Sequence, residues 1–187
     1  NPLDVAYNSG QEKRNTRVFN GIIGADWKII EGLNLGGQYS ANYYFRNTDE
    51  FNPVMPQYFS DGTPKPENKD LRNYVSQAKL DILTQSLQAT LKYNKTFLEK
   101  NDVGVLVGYS QEWELRNTLT ASRKNILIDG VEVIDGGTED ITNSGTRESW
   151  ALQSFFGRIN YAFDSKYLFE ANMRIDGTSR FAKNNRW

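Results

Sequence analysis

The chain has 187 residues, a formal net charge of −1, and neither cysteine nor histidine. That composition excludes disulfides, thiolate metal sites, cysteine nucleophiles, zinc–histidine centres and a Ser-His-Asp triad, and the balanced charge gives no support for a nucleic-acid surface. No run of about 18 apolar residues occurs, so a transmembrane helix is not expected.

Residues 1–16 read as polar and turn-like, and with no charged, hydrophobic leader before Asn1 any signal peptide is expected to be missing or removed. A strand is predicted from Arg17 to Ile29, with Phe19, Ile23, Ala25, Trp27 and Ile29 on its odd face. Ile30-Glu31-Gly32 makes a tight turn, with glycine where a three-residue hairpin needs a left-handed backbone. The next strand, Leu33 to Arg46, alternates strictly: Leu33, Leu35, Tyr39, Ala41, Tyr43 and Phe45 against mostly polar even positions. Period two marks a strand whose faces meet different solvents. Pairing Ile29 with Leu33 brings the apolar faces of this hairpin together.

A long, proline-containing loop is expected over 47–72. The third strand ends near Asn94 with Leu83, Leu87, Ala89, Leu91 and Tyr93 on its odd face. Upstream, Tyr74, Ala78, Leu80 and Ile82 occupy even positions; a one-residue bulge would explain the flip, as would that half standing above a membrane. After a turn around Phe97–Asp102 the fourth strand presents Val103, Val105, Val107, Tyr109, Trp113 and Leu115. Pairing Leu91 with Val105 sets Gln85 opposite Gln111, so that two polar side chains on an apolar face meet. A second long loop is expected over 117–147. The fifth strand, Trp150 to Phe163, carries Phe155, Ile159, Tyr161 and Phe163; Asp164-Ser165-Lys166 turns the chain into a sixth with Tyr167, Phe169, Ala171, Met173 and Ile175. A third loop starts at Gly177.

Connections alternating short and long between six long two-faced strands predict an all-β, antiparallel up-and-down sheet forming part of a transmembrane barrel. A membrane barrel exposes only alternate residues to lipid, so the negative mean hydropathy is compatible with it. Six strands do not close such a barrel, and an open edge in lipid leaves backbone groups unpaired, so the chain is expected to be a piece of a larger one. Loops 47–72 and 117–147 would then be extracellular and the short turns periplasmic.

The fifth and sixth strands carry Ser154-Phe155-Phe156-Gly157-Arg158-Ile159-Asn160-Tyr161, then Lys166-Tyr167-Leu168. Arg174-Ile175-Asp176-Gly177-Thr178-Ser179-Arg180-Phe181 and Asn185-Arg186-Trp187 follow. This run resembles the SusC/RagA-like family of TonB-dependent outer-membrane transporters; Asn1-Pro2-Leu3 is similar to an upstream junction of the same barrel. The resemblance implies a barrel of about 22 strands around an N-terminal plug, a TonB-binding segment, and a SusD-like lipoprotein as extracellular lid. It also implies import of oligosaccharides or peptides on the proton-motive force. Plug and TonB-binding segment are not among these residues, and family members continue past Trp187. The motif residues Phe156, Gly157, Arg158, Asn160, Tyr161, Lys166, Tyr167, Arg174, Asp176, Gly177, Ser179, Arg180 and Phe181 are expected to be structural. Arg174, Asp176 and Arg180 would pin a loop to the barrel wall.

Lipid-facing aromatics are predicted at Trp27, Tyr39, Tyr43, Phe45, Tyr93, Tyr109, Trp113, Tyr161, Phe163, Tyr167 and Phe169. Tyr58 and Phe59, in the first long loop, are the ligand-stacking candidates by position. Glu112 and Glu114 sit two apart on one strand face, a spacing near that of inverting glycosidases, but a polar lumenal face neutralised by Arg116 accounts for them as well. Asp135-Gly136-Gly137 with Glu139 and Asp140 offers oxygen ligands without the spacing of a calcium loop. No cofactor, metal or catalytic residue is expected. A soluble carbohydrate-binding β-sandwich, with the aromatic face as its core, is the alternative.

Overall fold

The computed structural model describes residues 10–54, 57–65, 72–128 and 130–187; the Asn1-Pro2-Leu3 junction and parts of the first long loop lie outside them. Six strands form one sheet in the order β1-β2-β3-β4-β5-β6: β1 Gln11–Ile30, β2 Leu33–Asn52, β3 Tyr74–Phe97, β4 Asn101–Ile126, β5 Gly137–Phe163 and β6 Tyr167–Thr178. This is the up-and-down architecture expected, in a single layer. The two packed sheets of a sandwich are not formed by the described residues.

The strands run farther than alternation indicated. Gln11–Thr16, residues 47–52, 117–126 and 137–147 are all strand, so the connections shrink to 53–73 and 127–136. Backbone pairing does not need side chains that alternate, so alternation marks a face with a constant environment and not the full length of a strand.

Two compact units divide the chain, Asn1–Arg17 with Tyr44–Asp81 and Arg116–Arg147, and Val18–Tyr43 with Ile82–Leu115 and Glu148–Trp187. In the first, Val75 and Ile126 are the buried apolar side chains among the described residues. Asn73 fastens that spot: its Nδ2 donates to the Ile126 carbonyl at 3.0 Å, and its Oδ1 accepts from the Ile126 N–H at 2.6 Å.

In the second unit the register can be followed by contact. Asn42 donates to Asn20, and a side chain at Gly24 would meet Gln38, which agrees with Ile29 pairing Leu33. Ser40 and Ser86 share a hydrogen bond of 2.8 Å, and a Cβ on Gly36 would lie 2.9 Å from Thr90 Oγ1. Farther along the same two strands, in the first unit, Gln77 donates to Asp49 at 3.0 Å. Nine positions separate Ser40 from Asp49, and nine separate Gln77 from Ser86, so neither strand holds an extra residue. The parity flip before Leu83 is therefore not a bulge: the faces keep their identity and their chemistry changes.

One register differs from the sequence reading. Thr84 donates to Glu114, Thr96 to Asp102, and Asn94 lies against Gly104. These place Leu91 opposite Val107, a shift of two residues. Gln85 then faces Trp113, and Gln111 accepts from the Tyr109 hydroxyl on its own strand at 2.8 Å. The cause is the turn. Leu98 and Glu99 take positive φ (49° and 62°) in a three-residue connection, as Asp164 and Ser165 do (53° and 51°). Neither turn advertises itself with glycine. A two-residue shift preserves parity, so every side chain stays on its expected face. At the last hairpin Phe163 pairs with Tyr167 and Tyr161 with Phe169, so the two apolar faces coincide.

Candidate functional site

The odd face of the second unit is apolar and uncovered by the described residues. Trp27, Phe169 and Met173 are 64%, 60% and 66% exposed, and Phe19, Ile23, Tyr43, Phe155, Ile159, Tyr161, Phe163 and Tyr167 are exposed to varying degrees. Tyr39, Phe45, Tyr93, Tyr109 and Trp113 are half-buried. The Tyr109 and Phe155 rings meet at 5.2 Å, and the Tyr161 hydroxyl donates to Asn101 at 2.7 Å. At the turns, Lys95 lies over Phe97 (5.3 Å) and Lys166 over Tyr167 (5.6 Å), ammonium groups covering ring faces where strands end.

The even face is mostly polar, with Val18, Ile22, Ile30 and Leu168 as exposed apolar exceptions near the strand ends and on β1, and its side chains fill the space above two glycines. The Asp26 carboxylate and Thr90 hydroxyl lean over Gly36, and the Phe156 ring lies on Gly108, where a Cβ would meet ring carbons at 2.2 Å. Gly108 was not singled out from the sequence, although an isolated glycine in a strand is itself a sign of close approach.

The resembling motif forms a clasp across β4, β5 and β6. Arg174 donates from Nε to Asp176 at 2.8 Å and from Nη2 to Ser154 at 2.9 Å, with Ser154 1% exposed. Its guanidinium also lies 6.0 Å from the Phe156 ring. Ser179 holds Ala151 twice: its N–H donates to the Ala151 carbonyl and its hydroxyl oxygen accepts from the Ala151 N–H, both at 2.8 Å. Arg180 stacks on Trp150 at 4.4 Å. Trp187 covers Gly177, where a Cβ would sit 2.6 Å from the indole, and stacks with Phe155 at 5.9 Å. Phe181 is exposed, and its carbonyl accepts from Arg186; Gly157 lies against the Leu106 carbonyl without crowding it. Asn160 Oδ1 is buried with no hydrogen-bond partner among the described residues. Arg174, Asp176 and Arg180 thus share this region, though Arg180 engages Trp150, a partner the sequence reading missed.

The remaining candidates separate. Tyr58 and Phe59 sit together on an exposed turn closed by a Tyr58–Pro64 bridge, with Gly62 at φ 84° and Lys65 over the Phe59 ring at 5.6 Å. Hydrogen bonds from Thr63 hold the Asp61 carboxyl below the usual carboxylate range. Glu114 accepts from Thr84 at 3.4 Å. In the acidic loop, Asp135 pairs with Arg123 (3.1 Å), Glu139 with Arg72 and Asp140 with Lys124 (2.9 Å), so the three carboxylates go to three different cations. No cluster suited to a metal occurs among the described residues.

The Lys124 hydrogen bond and charge depress the Asp140 carboxyl. A depressed folded-state pKa means the pair favours the ordered tip above the ordinary carboxylate range and stops doing so as pH falls through the lowered value. Amide protection at residues 137–142, taken relative to the intrinsic exchange rate at each pH, should therefore fall on acidification below that range, and Asp140→Asn should lower it at neutral pH. Exchange that ignores both changes would contradict the pair's role.

No family model matches the chain. TonB-dependent receptor P3 of Formosa agariphila is 34% identical over 100% of the chain. The chain belongs to the SusC/RagA-like TonB-dependent receptors. TonB-dependent receptor SusC of Bacteroides thetaiotaomicron is 28% identical, and a further Formosa agariphila receptor 29%, each again over the whole chain. This SusC/RagA-like chain spans 17–18% of the length of these curated relatives. The solved RagAB peptide transporter matches 99% of the chain with a TM-score of 0.83 at 24% identity, over 20% of its own length. Its open-open state scores 0.83 over 19%. The fold is that of part of a TonB-dependent transporter barrel, and the relatives are named as receptors.

Proposed function

We propose that these residues are a wall segment of a TonB-dependent importer in the bacterial outer membrane. In this reading the odd face of the second unit touches lipid and the even face lines the lumen. The connections 53–73 and 127–136 are extracellular, and the three tight turns are periplasmic. The observation that carries this is the single sheet left uncovered by the described residues: apolar on one side, mostly polar and interlocked on the other. An exposed apolar face of that extent needs a non-aqueous neighbour, and its flanking aromatics and lysines suit an interface. The wall residues act as scaffold rather than as an enzyme. The cargo is an oligosaccharide or peptide, delivered with a SusD-like lid lipoprotein and driven by TonB through parts of the protein outside these residues. The clasp around Arg174 and Asp176 fixes the segment after β6 against the wall, and Tyr58 and Phe59 offer rings for cargo at the mouth.

Spin labels at neighbouring positions test the assignment of faces. In the full-length receptor in vesicles, a label at Tyr39 should be relaxed by a lipid-soluble quencher such as oxygen. A label at Gln38 should respond to a water-soluble one. The reverse pattern would remove the proposal.

A further inference from the structure

We propose that Trp187 is an anchor in the headgroup zone of the outer leaflet, carried to the lipid face by the segment that follows β6, and that this zone crosses β5 and β6 at Gln153 and Gly177. The inference rests on the import reading above and deepens it, adding where the bilayer ends on this part of the wall and which ring meets the headgroups there.

The segment grips the end of the last hairpin from both sides. Arg180 stacks on Trp150, an even-face residue, at 4.4 Å. Farther along, Trp187 lies on the odd face, covering Gly177 and stacked on Phe155 at 5.9 Å. Hydrogen bonds hold this return. The Ser179 N–H donates to the Ala151 carbonyl of β5, and the Thr178 N–H donates to the Arg186 carbonyl, both at 2.8 Å. Successive N–H groups of an extended chain point to opposite edges, so Arg186 stands at the edge of β6 away from β5. A short turn lies between, closed by the Asn185 N–H donating to the Ala182 carbonyl at 2.8 Å. Gly177 is buried beneath the indole, and a Cβ there would meet the ring at 2.6 Å, so glycine is what lets Trp187 lie against the wall. Aromatic rings laid over strand glycines help to pin register.

Chemistry and height both put this ring at a boundary. Tyr109, Phe155 and Trp187 form a row, the first two rings 5.2 Å apart. Between the row and the Asp164-Ser165-Lys166 turn, the odd face of β5 and β6 carries Ile159, Tyr161, Phe163, Tyr167, Phe169 and Met173. On the other side of the row the face turns polar. Gln111 follows Tyr109 and accepts from its hydroxyl at 2.8 Å, Gln153 pairs with Gly177, and Ser149 and Arg147 lie farther out. Gln153 is ten positions from Phe163, roughly 33 Å of strand and about 25 Å of height at a tilt near 40°. That equals the height of the apolar band of a membrane barrel. With Phe163 and Tyr167 at the periplasmic boundary, the Gln153–Gly177 pair falls at the outer one. An indole offers an apolar body to acyl chains and an N–H to headgroup oxygens, which is why tryptophan collects at interfaces. Trp187 is 63% exposed, so one side of the ring rests on the wall and the rest meets the surroundings.

A fluorophore in place of the indole reads its depth. In the full-length receptor in phospholipid vesicles, bimane on Trp187→Cys as the only reactive cysteine should be quenched about twice as strongly by a lipid doxyl group near the headgroup as by one at the chain end. Bimane on Ile159→Cys should show the opposite preference. Gly177→Leu, which fills the seat of the ring, should move the label at Trp187 out of reach of both doxyl groups and into reach of aqueous iodide. Quenching at Trp187 by iodide alone, stronger quenching there from the chain end, or quenching by neither agent would overturn the proposal. A label that Gly177→Leu leaves in place would overturn it too. The Ile159 label separates the two possible failures. Loss of lipid quenching at Ile159 means the barrel reading has failed, whereas lipid quenching at Ile159 without it at Trp187 condemns the anchor alone.

Discussion

Replacing Ile159 with arginine should cost the full-length receptor about 2–4 kcal/mol of stability in a bilayer, the penalty for a cation on the lipid face near the midplane. Ile159 is half exposed on the apolar face, paired with Ala171, which offers no partner for a guanidinium. It stands four residues from the turn-flanking Phe163, which on a tilted strand is roughly 10 Å, near the middle of an apolar band about 25 Å tall. The adjacent Asn160 points to the other face opposite Glu170, so Asn160→Lys should be nearly neutral. Urea unfolding of both variants in phospholipid vesicles makes the comparison. A sheet wetted on both faces would tolerate Ile159→Arg as readily as Asn160→Lys, and that result would contradict the membrane reading.

Gly32→Ala should be the most damaging change at a turn. Gly32 has φ 82°, and a left-handed backbone costs a residue with a Cβ about 1–2 kcal/mol. The new methyl would also lie 2.3 Å from the Asn94 carbonyl oxygen, which is backbone and has no rotamer to escape into. The Asn94 N–H donates to the Gly32 carbonyl at 2.8 Å, so relieving the clash means breaking the bond that ties this turn to the neighbouring strand. A total loss of about 2–3 kcal/mol follows from adding one backbone hydrogen bond to the dihedral cost. Glu31→Ala, in the same turn without either constraint, is the control. Equal urea midpoints for the two variants would show that the turn adapts.

The glycine at this turn was legible because only glycine takes that conformation cheaply; the turns at Leu98-Glu99-Lys100 and Asp164-Ser165-Lys166 use the same region of backbone space with residues that give no such sign. That is why the first hairpin register agreed with expectation and the one between β3 and β4 was off by two. Matching Gln85 to Gln111 was plausible chemistry, but Gln111 found the Tyr109 hydroxyl instead. The alternative partner lay two residues along the same strand, where pairing arguments between strands do not look.

What the amino-acid order determined alone is which side of the wall each residue faces. Alternation of Leu33 through Phe45, and of Tyr167 through Ile175, follows from the two-residue repeat of an extended chain and survives an even shift of register. The motif of β5 and β6 likewise carried the family. Tertiary structure decided which residues become neighbours: Arg174 with Ser154, Arg180 with Trp150, and Phe156 with Gly108. Those groupings join residues tens of positions apart, and they depend on the sum of turn geometries between them. A local pattern sets a face, whereas only the paired strands set a level along it.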